Sequence, residues 1–143
     1  MANEAVQIVA PTKTYSYTVA AGTAITKGAL MAITSDPRTV LANAGAGGQV
    51  FAGVAVSDKS ATDGAITMGL AQDGIYDLLM ATGSTCSFGD LLILSGANAV
   101  ARMRDFSNQA VSSPIYVSAM IVGMALETGS SAETIAVDIG RRR

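Results

Sequence analysis

Gly22-Thr23-Ala24-Ile25-Thr26-Lys27-Gly28-Ala29-Leu30-Met31-Ala32-Ile33-Thr34 has an echo in the same chain. Sixty-one residues on comes Gly83-Ser84-Thr85-Cys86-Ser87-Phe88-Gly89-Asp90-Leu91-Leu92-Ile93-Leu94-Ser95. Gly22/Gly83, Gly28/Gly89 and Leu30/Leu91 are identical, and most other positions agree in class. Each copy has a glycine, a small polar segment with one buried-type residue (Ile25, Cys86), a second glycine and an apolar run. Backwards, Gly74-Ile75-Tyr76-Asp77-Leu78 falls on Lys13-Thr14-Tyr15-Ser16-Tyr17 at the same offset. Forwards, Met120 to Glu127 answers Val50 to Ser57 at an offset of seventy, and Ser130 to Val137 answers Ser60 to Met68 with one residue less. The second copy therefore carries nine extra residues between Ser95 and Met120, in the stretch that includes Arg102 to Gln109.

The chain reads as an N-terminal arm (1–14), a single β-domain over 10–140 made of half-repeats at about 10–70 and 71–139, and a basic tail at 141–143. Tyr15 to Val19, Leu30 to Thr34, Val50 to Val56 and Ala65 to Ala71 are short runs rich in β-branched, aromatic or apolar residues, bounded by Gly, Asp and Pro turns, and are predicted strands. Lys27-Gly28 marks a tight turn in which glycine supplies the positive φ. Gly53 marks a bulge or a close backbone approach. Pro11 lacks the N–H that a central strand needs, so Val6-Gln7-Ile8-Val9 is predicted to be an arm or an edge strand. No segment of ten residues or more has a clean helical period, which leaves at most a turn or two of helix near Met103 or Ala110. Two copies are too few for a solenoid. The expected fold is all-β, a small barrel or sandwich of two pseudo-symmetric halves with an extended arm.

The chain has 143 residues, enough to bury a core without staples. Half of them are hydrophobic, yet no apolar run approaches the ~20 residues of a membrane helix. The N-terminus has no charged start followed by an apolar stretch, so the expectation is a soluble protein made in the cytoplasm, without a membrane partner. There is no histidine, which removes the commonest general base and zinc ligand, and the one cysteine has no imidazole to activate it. The expectation is therefore no enzyme, no metal and no cofactor. Three of the nine cations are Arg141, Arg142 and Arg143, so the body has six against eleven anions, the reverse of a nucleic-acid-binding surface.

Asp58, Asp63, Asp73, Asp77 and Asp90 form the one carboxylate set that could serve hydrolysis or calcium. Each adjoins a glycine or a strand end, where turn duty accounts for it. Cys86 aligns with Ile25 and reads as a small buried hydrophobe. The candidate contact residues lie where the copies differ. Val6, Gln7, Ile8 and Val9 can add as a strand to a partner. Arg102 and Arg104, two apart, face one side of a strand and can either meet a partner's carboxylates or protect a solvated edge strand by their charge. Arg141, Arg142 and Arg143 read as a solvated tail or as an electrostatic contact to an acidic surface. A mean hydropathy of +0.41 favours some apolar surface being buried between molecules.

Several of these stretches resemble the capsid cement (head decoration) proteins of tailed phages: Met1 to Ala5, Tyr15 to Val19, Gly22 to Leu30, Val50 to Ala55, Asp73 to Leu78 and Gly123 to Thr128. The resemblance implies a β-clip or tulip-like body that binds the outer surface of the expanded head and bridges neighbouring capsomers. It also implies a homotrimer, with the major capsid protein as partner, on the exterior of the virion. The paired glycine–strand pattern is similar to β-clip domains as well, some of which bind small sugars, and this is the alternative function.

Overall fold

The computed structural model describes residues 4–35, 38–42, 49–103 and 120–140. Its elements are strands: β1 (Val6–Val9), β2 (Thr14–Thr18), β3 (Leu30–Ser35), β4 (Thr39–Ala42), β5 (Val50–Ala55), β6 (Thr67–Ala71), β7 (Gly74–Met80), β8 (Leu91–Leu94), β9 (Ala99–Arg102), β10 (Ile121–Ala125) and β11 (Thr134–Ile139). Among the described residues the fold is all-β, as the sequence predicts, and no helix is long and apolar enough to cross a membrane. The turn of helix expected near Ala110 lies outside the described residues.

The repeat becomes two five-stranded barrels. The first closes in the order β2-β4-β3-β5-β6, with β2 and β4 parallel through Thr18 and Thr39. The second follows β7-β11-β10-β8-β9 and returns to β7 through parallel pairs Leu79/Ala99 and Met80/Val100. Strand for strand the circuits match: β2 with β7, β3 with β8, β4 with β9, β5 with β10 and β6 with β11.

The repeated stretch builds the same corner in both. Gly28 and Gly89 take φ values of 91° and 87°, a region that glycine enters without a Cβ penalty. Ile25 bridges to Lys59 and Cys86 to Gly129, each tying the glycine-bounded segment to the polar turn after β5 or β10. Gly53 and Gly123 sit beside register shifts in β5 and β10. A Cβ on Gly53 would lie 2.6 Å from the Ala71 carbonyl oxygen, so the bulge also lets β6 approach.

A five-stranded barrel is narrow, and side chains fill it. Val19, Ile25, Met31, Val40, Ala52 and Leu70 fill the first, while Met80, Cys86, Leu92, Leu94, Val100, Val122 and Val137 fill the second. The second cluster extends across the junction to Leu30, Ala32, Phe51 and Val54, which face outward from the first barrel. Asn98, buried in the turn between β8 and β9, accepts a hydrogen bond there from the Leu30 N–H at 3.1 Å. The two barrels are thus fastened by apolar packing and one buried amide.

Candidate functional site

β1 does not join the barrel that follows it in sequence. It crosses to the second barrel and pairs antiparallel with β7, Val6 opposite Asp77 and Gln7 opposite Tyr76, with a register shift before Val9 meets Ile75. Before the strand, the Ala5 N–H donates to the Gly28 carbonyl at 2.8 Å. The Ala5 carbonyl lies where a Cβ on Gly28 would be, so this glycine admits the arm as well as making the turn.

After the strand, Asp73 holds the connection. Its carboxylate accepts from the Thr12 N–H at 2.8 Å, the Lys13 N–H at 3.0 Å and the Thr12 hydroxyl. These bonds favour the charged form, the Thr12 hydroxyl most, and hold the carboxyl below the usual aspartate range. The folded value is the depressed one. The grip is therefore complete above the ordinary aspartate range near pH 4 and is lost as pH falls through the lowered value. The Thr12 and Lys13 amide resonances should titrate together below pH 4. Asp73→Ala should make the arm more sensitive to protease at neutral pH and lower Tm by roughly 2–4 °C.

All four residues of β1 are exposed, although three are apolar: Val6 61%, Ile8 51% and Val9 48%. The strand forms one end of the six-stranded sheet, so its outer edge is open among the described residues. Sequence reasoning expected an edge strand or an arm. The structure places that edge on β7, where Val6 lies opposite Asp77, seventy-one residues on.

The other candidates separate. Arg102, at the end of β9, points its guanidinium to within 3.9 Å of Asp90 in its own chain. Arg104, Arg141, Arg142 and Arg143 lie outside the described residues. Of the five candidate carboxylates, Asp58, Asp63, Asp73 and Asp90 are occupied by backbone N–H groups. Asp58 accepts from the Lys27 N–H at 2.7 Å, Asp63 from Ser60 and Ala65, and Asp90 from Ser87. Among the described residues no group of three His, Cys, Asp or Glu could hold a metal ion. Burial pushes the Cys86 thiol up, away from the reactive thiolate.

Three residues were missed by sequence reasoning: Asp73 as the arm's anchor, Asn98 at the junction, and Lys59, whose ammonium is buried. Asp73, beside Gly74, reads in the sequence as an ordinary turn residue. Nothing local marks the other two.

No family model and no curated protein matches the sequence. Among solved structures, the chain is similar to the N-terminal base of the head fiber protein gp8.5 of bacteriophage phi29. The likeness has a TM-score of 0.50 at 15% identity and covers 92% of this chain and 96% of that one. At that identity the likeness is one of fold, carried over nearly the full length of both chains.

Proposed function

We propose that this chain is a phage capsid cement protein. It binds the outer surface of the expanded head, with the major capsid protein as its partner, and bridges neighbouring capsomers as a homotrimer. The observation that carries the reading is β1: a sheet-edge strand with three apolar side chains exposed to water, pinned at both ends. The fold shared with a phage head fiber base and the resemblance to cement proteins support it.

The mechanism is linkage. A protein that binds the expanded lattice and not its precursor stabilises the expanded form by mass action. Several weak contacts engaged by one rigid body make dissociation slow. Extended segments of the shell would pair along β1, with main-chain hydrogen bonds supplying affinity and Val6, Ile8 and Val9 covering the strand. The cations Arg102, Arg104, Arg141, Arg142 and Arg143 would add charge contacts to an acidic shell. No step requires turnover. The barrel interiors are filled with side chains, so a sugar, the alternative ligand, would have to sit outside them.

Co-sedimentation with expanded and unexpanded heads tests the reading. The protein should pellet with expanded heads alone. The pair Ile8→Asp and Val9→Asp puts two charges on an exposed edge, so the fold should persist while head binding falls at least tenfold. Failure of the unmodified protein to bind either form would remove the proposal.

A further inference from the structure

The two barrels are equivalent in topology, and β1 fills an edge on only one of them. Its seat on β7 is Ile75-Tyr76-Asp77. The equivalent residues of β2, at the offset of sixty-one, are Thr14-Tyr15-Ser16. Tyr76, opposite Gln7, is 3% exposed, whereas Tyr15 is 54% exposed, with Thr14 and Ser16 exposed beside it.

The backbone of that edge faces outward. The Lys13 carbonyl accepts from the Gln72 N–H and the Val19 N–H donates to Ile66, so odd-numbered residues of β2 bond towards β6. The Thr18 N–H turns the other way, to the Arg38 carbonyl. In an antiparallel ladder this alternation aims the N–H and C=O of Thr14 and Ser16 away from β6. β2 pairs with β4 only at Thr18, so among the described residues these groups have no strand beside them.

We infer that the Thr14–Ser16 edge of β2 is a strand-acceptor site, which takes an extended segment of the shell protein as β7 takes β1. The seating of β1 supplies the chemistry of the occupant: about four extended residues, antiparallel, with free backbone N–H and C=O groups. The β1 of another copy is not the occupant, because it is held on its own β7 between Gly28 and Asp73. The inference rests on the cement reading and extends it: the arm presents one edge to the shell, and the body receives a strand at another.

Ser16→Pro tests this cleanly. Proline deletes an N–H that points away from β6 and leaves the β2–β6 ladder its bonds, so the melting curve should stay close to that of Ser16→Ala. In co-sedimentation with expanded heads, Ser16→Ala should bind as the unmodified protein does and Ser16→Pro at least tenfold more weakly. Hydrogen exchange should show the Thr14 and Ser16 amides protected on heads and unprotected in the free protein. If Ser16→Pro binds undiminished, or those amides gain no protection, the acceptor edge is wrong while the cement reading stands. If Ser16→Pro lowers the solution mass in the absence of heads, the occupant is a second copy and the shell assignment is overturned. If the unmodified protein binds no heads, the cement reading fails and this occupant with it.

Discussion

Gly123→Val should cost about 3 kcal/mol or more, because the new side chain has nowhere to go. A Cβ at Gly123 lands on the Asp138 carbonyl oxygen and lies 2.8 Å from the Ile139 Cα. Both are backbone of β11, and they pair with β10 at Gly123/Ile139 and Met124/Asp138. Relief requires β11 to move, which breaks the ladder that closes the second barrel. A domain's whole stability is on the order of 5–15 kcal/mol, so this one change removes a large share. Urea melts measure it, with Gly22→Ala as the control. Gly22 has nothing within 4 Å of its Cβ position, and that change should stay within about 0.5 kcal/mol of the parent. A Gly123→Val protein as stable as the parent would show that β10 and β11 do not approach as described.

Lys59→Ala should lose about 3 kcal/mol, which is unusual for a lysine. The side chain is 3% exposed. Its ammonium donates to the carbonyls of Ala21 at 2.7 Å, Thr23 at 3.0 Å and Ser60 at 3.3 Å, and sits 3.3 Å from an Asp63 oxygen. Truncation removes the donor from these part-buried bonds and empties the buried space of the stem. Lys59→Met keeps the volume and removes only the donors, so it should cost about half as much. The equivalent bridge position in the second barrel is Gly129, over which the Ile135 side chain packs. One barrel closes this corner with an ammonium and carbonyls, the other with apolar contact. Thermal melts of the two Lys59 variants separate the polar from the packing contribution.

Much of the fold was legible because it is local. Positive-φ turns at Gly28 and Gly89, inward-pointing Ile25 and Cys86, and the bulges at Gly53 and Gly123 follow from residues within a few positions of each other. Comparing the copies then marked the arm as unshared. The candidate site was less legible. That Val6 to Val9 would lie on a sheet edge was readable from Pro11. Which strand carries them was not, because Gly28 and Asp73, which fix the arm's path, are far from it in sequence and look like ordinary turn residues.

The sequence by itself determined the strand periodicity, the turn positions and the twofold repetition, since each depends on φ preference and on the alternation of neighbouring side chains. Tertiary structure decided which edges are filled and which stay open. Tyr15 and Tyr76 occupy the same position of the same repeat, and no local rule distinguishes them. Tyr76 is buried in the cluster that spans the barrel junction with Leu30, Phe51 and Val54, whereas Tyr15 lies exposed on β2. Long-range closure of this kind depends on the summed fit of residues sixty and more positions apart, which local propensities do not encode.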